Sequence, residues 1–143
     1  MRIVLDTCIF VSALITKNTP PDMLYQSWRK KEFNLITSDA QLDEIKRVFS
    51  YKKLEKFVNP YEAKTLIENL YRRAILQTNL PIITLSSDPD DNKIIATALI
   101  GEADYLVSGD KADLLVLKKA QNVPIVTARQ MVNILDLKRT ANT

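Results

Sequence analysis

The sequence predicts an α/β fold, a parallel central sheet covered by helices on both faces. Short apolar runs of strand length, residues 2–5, 33–37, 105–107 and 124–126, alternate with stretches whose apolar residues recur at helical spacing. Apolar strands that are each followed by a helix belong to parallel sheets buried on both sides. Only Gly101 and Gly109 are glycines, so tight hairpin turns are scarce and an all-β fold is not expected.

Residues 2–5 form the first strand, after which Ile9, Phe10, Ala13 and Leu14 follow at the spacing of a helix face. Pro20-Pro21 breaks the chain. Pro21 or Asp22 opens a helix that carries Met23, Leu24 and Trp28 and ends on Arg29-Lys30-Lys31, where positive charge suits the helix dipole. After the strand at 33–37, Ser38 with Gln41 three residues on reads as a capping box for a helix bearing Leu42, Ile45, Val48 and Phe49. Two helices are expected near 52–58 and 61–75, separated by Asn59-Pro60. Residues 74–77 enter a short strand, and an irregular loop runs through Pro81 to Ser86-Ser87. Asp88-Pro89 starts a helix that runs to Gly101. A strand at 105–107, a helix at 111–121 and a strand at 124–126 follow, and Thr127 caps a last helix to about Leu137. With no repeats and no linker-like stretch, a single domain over 1–137 and a polar tail over 138–143 are expected.

The composition of the 143 residues, 46% hydrophobic and 26% charged, is that of a globular protein with a proper core. No apolar run approaches the roughly 18 residues of a membrane span. Met1-Arg2-Ile3-Val4 goes straight into a strand pattern, so no signal peptide is expected and a cytoplasmic location is. Cys8 is the only cysteine, and histidine is absent. Disulfides, thiolate zinc cages, Ser-His and Cys-His catalysis and imidazole metal sites are thereby excluded. Any catalysis rests on carboxylates, hydroxyls, lysines and arginines, with a hard metal ion the natural helper. A formal charge of +3 permits an anionic partner.

In parallel sheets ligands gather beyond the carboxyl ends of the strands. Asp6 ends the first strand, and Ser108-Gly109-Asp110 ends the strand at 105–107, so two carboxylates meet the same rim. Each acid alone has a plainer explanation: Asp6, Asp88 and Asp110 as helix caps, Asp90 and Asp91 as first-turn acids, Glu44 as a solvated helix residue. Asp104 and Asp113 lean further that way. Taken together the acids read differently. Glu44 lies about 40° around the helix wheel from Val48 and borders the buried face. Asp6, Glu44, Asp91 and Asp110 can then converge on one pocket, where uncompensated carboxylates repel and raise one another's pKa. A divalent cation removes that cost. With oxygen ligands only, Mg²⁺ or Mn²⁺ is the natural choice.

The residues that make this pattern also resemble a known family. I-V-L-D-T-C-I-F-V-S-A-L-I is similar to the first motif of PIN-domain ribonucleases, the toxin halves of VapBC-type toxin–antitoxin pairs. S-D-A-Q-L-D-E-I-K-R-V is similar to their second, with its acid at Glu44. D-P-D-D-N-K-I-I-A-T-A-L-I-G-E-A-D-Y-L-V-S-G-D resembles the third and fourth, with acids at Asp91 and Asp110. Asp91 is preferred to Asp90 because Ile94, Ala96 and Ala98 then fall into the family's register. The chain departs from the family at Cys8, where Asn is frequent, at Ser108, where Thr is usual, and at Asp113, displaced by one position. The resemblance implies a PIN-like three-layer α/β/α fold, Mg²⁺- or Mn²⁺-dependent RNA cleavage, homodimers and inhibition by a small antitoxin.

On that resemblance Asp6, Asp91 and Asp110, aided by Glu44, hold one or two metal ions for phosphodiester hydrolysis, with Thr7 or Ser108 orienting a carboxylate or the phosphate. Lys46, Arg47, Lys52 and Lys53 are the candidates for backbone binding. Setting the four site acids aside from the 17 Asp and Glu leaves 13 against 20 Lys and Arg, a negative pocket in a positive surface. Trp28, Tyr51 and Tyr71 are expected to pack in the core or an interface rather than stack bases. Large apolar side chains around Met23, Leu24 and Trp28, and around Leu66, Ile67, Leu70 and Tyr71, are expected to exceed what one sheet face covers and so to form a dimer interface. The alternatives are a housekeeping PIN-like nuclease in RNA processing or DNA repair, a phosphoryl-accepting receiver-like domain, and a non-catalytic RNA-binding scaffold.

Overall fold

The structure is a computed structural model and describes residues 1–109 and 114–141. Its elements run β1 (Arg2–Leu5), α1 (Thr7–Ile15), α2 (Pro20–Arg29), β2 (Asn34–Ser38), α3 (Asp39–Phe49), α4 (Pro60–Arg73), β3 (Ile75–Gln77), α5 (Pro89–Ile100), β4 (Tyr105–Val107), β5 (Lys119–Ala120), β6 (Val123–Val126) and α6 (Ala128–Ala141). The sheet order is β3-β2-β1-β4-β6-β5, parallel throughout except for β5, which pairs antiparallel with β6.

Strand alternation divides the apolar residues between two cores. Ile3, Leu5, Leu35 and Val107 face a large cluster with Phe10, Leu24, Trp28, Leu42, Leu66 and Met131, residues of α1, α2, α3, α4 and α6. Val4, Ile36, Leu106 and Ile125 face the other way, onto Ile94, Ile95 and Ala98 of α5. The result is three layers, helices, sheet and helix, as the alternating pattern predicts.

The local signals explain most boundaries. Asp6, Ser38, Asn59 and Asp88 each cap a helix with a side-chain oxygen, and α2, α4 and α5 carry Pro in their first turn. Thr127 and Gln130 form a reciprocal capping box: the Gln130 N–H donates to the Thr127 hydroxyl at 3.1 Å, and the Thr127 N–H to Gln130 Oε1 at 2.8 Å. At Ser38 only half of the expected box forms. The Gln41 N–H donates to Ser38 Oγ at 3.1 Å, but the Gln41 side chain goes elsewhere.

Several expectations are corrected. The helix near 52–58 is a single 3₁₀ turn over Lys52–Leu54. That stretch is polar, has no side-chain cap and meets Pro60 almost at once, too little to repay helix nucleation. The described part of the helix expected at 111–121 is instead a 3₁₀ turn, Leu115–Leu117, followed by β5 and a hairpin into β6. Lys118 at φ 58° and Gln121 at φ 52° make these reversals without glycine. Helix α6 continues past Leu137 to Ala141. The apolar side chains expected to be surplus are largely covered: Leu24, Trp28, Leu66 and Leu70 are buried within the chain, Ile67 is partly buried, and Met23 and Tyr71 are exposed. Tyr51 is exposed too, so among the three large aromatics only Trp28 is a core residue.

No helix among the described residues is long and apolar enough to cross a membrane.

Candidate active site

The chain order reverses around β1: β2 and β3 lie on one side, β4 and β6 on the other. The crevice between the carboxyl ends of β1 and β4 is therefore the topological switch point, where open parallel sheets bind ligands. Asp6 stands there. Its N–H donates to the Val107 carbonyl at 2.9 Å, its Oδ1 accepts from the Thr7 N–H at 2.7 Å, and its Oδ2 accepts from the Ser108 hydroxyl at 3.1 Å. The Cys8 thiol lies 3.6 Å from the same oxygen. Asp6 is thus both the cap of α1 and a carboxylate held at the switch point, only 8% exposed.

Asp91 is 7% exposed in the first turn of α5, with the Ser86 hydroxyl donating to its Oδ2 at 3.4 Å. Ser86 is itself fixed by Asn92, whose side chain accepts from the Ser86 N–H and donates to the Ser86 carbonyl, both at 2.8 Å. Glu44, half-buried on α3, has its carboxyl pushed above the ordinary 4.5, first by burial and then by the charges of Asp6 and Asp90, offset by the Thr7 hydroxyl and Arg47. Asp6 and Asp90 thus both act on Glu44, and Asp91 adjoins Asp90 in the first turn of α5. The Thr7 hydroxyl, fully buried, is the group that steadies the Glu44 carboxylate. Asp110, the fourth predicted acid, and Asp113 lie outside the described residues. Among the described residues no three acidic or thiol side chains form a group able to hold a metal ion.

The predicted basic residues divide. Arg47 reaches the acid region, its Nη2 4.0 Å from Asp90. Lys46 instead lies over the ring of Tyr71 on α4, its Nζ 4.8 Å from the centroid, and a side-chain hydrogen bond with Tyr71 holds its ammonium above the ordinary 10.5. Lys53 sits 5.7 Å from the ring of Tyr51, and Lys52 is exposed beside it. Asp104 accepts from the Arg2 N–H at 2.8 Å, a structural role.

Sequence reasoning missed Gln41. It is 2% exposed, donates through Nε2 to the Leu5 carbonyl at 2.6 Å and accepts from the Thr37 hydroxyl at 2.7 Å, tying the start of α3 to the residue before Asp6. It also missed Ser38 and Thr97, whose hydroxyls meet at 2.8 Å between β2 and α5. The polar S-D-A-Q run signals a cap but not these long-range bonds.

Raised carboxyl pKa values carry a stability consequence. Glu44's folded pKa lies above 4.5, so between these values the native state keeps a proton the unfolded chain has lost. Stability therefore falls as pH rises through that window. Glu44→Gln should gain on the wild type through it, reach a plateau above it, and match the wild type below about pH 4.5. Urea midpoints from pH 4 to 7 in EDTA check this, and a gap independent of pH contradicts it.

A parallel α/β protein that gathers buried carboxylates and hydroxyls at its switch point belongs to a class that works on ligands at the sheet rim. The chain belongs to the PIN domain family, whose model matches residues 2–112. It is similar to a solved chain of VapBC2 from Rickettsia felis, determined bound to a DNA fragment from their promoter. That match has 20% identity and a TM-score of 0.55 over 89% of this chain and 98% of that one. It is also similar to a chain of FitAB bound to an IR36 DNA fragment, at 15% identity and TM-score 0.50 over 88% and 94% of the two chains. At such identities the likeness establishes the fold. No curated protein matches the chain. The family sets aside the receiver-like reading, and its members are nucleases.

Proposed function

We propose that this protein is a Mg²⁺- or Mn²⁺-dependent endoribonuclease and the toxin of a toxin–antitoxin pair, working in the cytoplasm. The observation that carries the nuclease reading is Asp6, an almost fully buried carboxylate at the switch point, acting on a half-buried Glu44 whose carboxyl is pushed up by burial, Asp6 and Asp90; Asp91, as deeply buried, adjoins Asp90 in the first turn of α5. Burying such groups is costly unless something opposes their charge. The donors are all oxygen, with neither imidazole nor a second thiol in the chain, which fits a hard divalent cation. Asp6, Asp91 and Glu44, with Asp110, would hold it. When bound, the cation supplies activation of water and neutralisation of charge on the scissile phosphate.

The chain's own groups do the rest. Ser108 and the Thr7 N–H fix the Asp6 carboxylate from two sides, and Ser86 fixes Asp91. Water as nucleophile leaves a 5′-phosphate and a 3′-hydroxyl and does not use the 2′-hydroxyl, so the choice of RNA rests on the family resemblance. Lys46, Arg47, Lys52 and Lys53 supply attraction for the phosphate backbone.

The toxin reading, the antitoxin partner and a homodimer rest on the same resemblance and on the likeness to VapBC2 and FitAB. Expression of the chain alone should arrest growth. Co-expression with the small gene beside its own should restore growth and yield a co-purifying complex. A chain that leaves growth unchanged and co-purifies with nothing defeats the toxin reading and leaves the nuclease reading standing.

A further inference from the structure

Between the first turns of α3 and α5 lies a cleft of about 260 Å³, with Asp43, Glu44 and Arg47 on one wall and Asp90 and Lys93 on the other. A single carboxylate there faces two cations, one from each wall. Arg47 Nη2 stands 4.0 Å from Asp90 Oδ2, and Lys93 Nζ 4.0 Å from Asp90 Oδ1. The three side chains are 52–60% exposed, so both pairs are weak and exchange readily with solvent or another anion. Both distances sit at the outer limit of an ion pair, so Asp90 holds neither cation tightly. Glu44, on the same cleft, is raised by Asp90 and lowered by Arg47.

We propose that this cleft is a phosphate subsite, in which Asp90 occupies the place of the ligand and Arg47 and Lys93 clamp a phosphate of the nucleic-acid strand when it displaces Asp90. The inference rests on the nuclease reading and deepens it, giving Lys93 a binding role and Asp90 a counter-ion role distinct from the acid chemistry of Asp91. A phosphate offers more oxygens than a carboxylate, and guanidinium binds it through two parallel N–H groups. Asp43 and Glu44 add negative charge nearby, so removing Asp90's charge alters occupancy markedly.

The test is binding of fluorescent single-stranded RNA and DNA of equal length, read by anisotropy over a salt series in EDTA. Lys93→Gln and Arg47→Gln should each weaken binding and flatten the plot of log affinity against log salt by about 0.7, the value of one phosphate contact on a single strand. Asp90→Asn should tighten binding by roughly two- to fivefold. Asp43→Asn, which removes the same charge from the same cleft but pairs with neither cation there, should tighten it less. In a Lys93→Gln, Arg47→Gln background the gain from Asp90→Asn should vanish. An equal gain in that background, or an equal gain from Asp43→Asn, reduces the effect to bulk charge and overturns the inference, as does failure of every variant to bind either strand. The effects should match on RNA and DNA because the contact is to phosphate. Binding that follows this pattern without cleavage of either strand under Mg²⁺ or Mn²⁺ overturns the nuclease reading alone.

Discussion

Asp6→Asn and Asp91→Asn should each lower RNA cleavage by at least about a hundredfold while leaving the fold intact. The loss follows from charge. Each substitution removes a negative oxygen from a site whose proposed work is to hold a divalent cation worth several kcal/mol to the transition state, and each 1.36 kcal/mol is tenfold in rate. The fold survives because the local bonds have neutral equivalents. Asn at position 6 keeps an oxygen for the Thr7 N–H, and the Ser108 hydroxyl can turn to accept from the new amide. At position 91 the amide oxygen of Asn can still accept the long bond from Ser86. Thermal unfolding in EDTA should show both variants as stable as the wild type or more so, because one source of repulsion is gone. Wild-type turnover in the double variant removes these residues from the chemistry.

Gln41→Leu should cost about 2–4 kcal/mol of stability. The side chain is fully buried and bonds to two buried partners, the Leu5 carbonyl and the Thr37 hydroxyl. Leucine fills similar space but withdraws a partner from both, and a buried polar group so deprived costs about 1–3 kcal/mol. In a domain of this size that lowers Tm by roughly 6–14 °C. Thr37→Val, which removes the hydroxyl and leaves the Leu5 bond, should cost less than half as much. Activity should fall as well, because Gln41 lies one helical turn before Glu44 and bonds to the residue before Asp6. Chemical denaturation of the three proteins measures the stability difference, and a Gln41→Leu loss under about 0.5 kcal/mol shows that the two partners find other bonds.

What could be read from the residues alone follows physical lines. Strand-length apolar runs, proline-initiated helices and capping residues are local signals, and they place β1, β2, β4 and β6 and the helices α1 to α6 close to where they stand. The switch point follows from the same alternation, so the positions of Asp6 and Ser108 at strand ends were legible. The β5–β6 hairpin was not, because its left-handed positions are filled by Lys118 and Gln121 rather than by glycine. Nor were the bonds that position the acids. Gln41 to Leu5 spans 36 residues and Ser108 to Asp6 spans 102, and no periodicity encodes such pairs. Asn92 adjoins Asp91 in the sequence, yet its grip on Ser86 depends on how the loop before α5 returns. The exposure of Tyr71 likewise depends on which face of α4 is covered, and that of Tyr51 on how the chain leaves α3, which the residues did not reveal. Asp110 was singled out from its strand-end position and its motif, and lies outside the described residues.

The central claim is that the acids at the switch point form one cation-dependent hydrolytic site. The most direct measurement incubates the protein with a mixed panel of RNA and DNA strands in Mg²⁺, in Mn²⁺ and in EDTA, and maps the ends of every product. Cleavage of RNA in either cation, silence in EDTA, and products ending in 5′-phosphate and 3′-hydroxyl are the predicted result. Undiminished cleavage in EDTA, or products ending in a 2′,3′-cyclic phosphate, would contradict it.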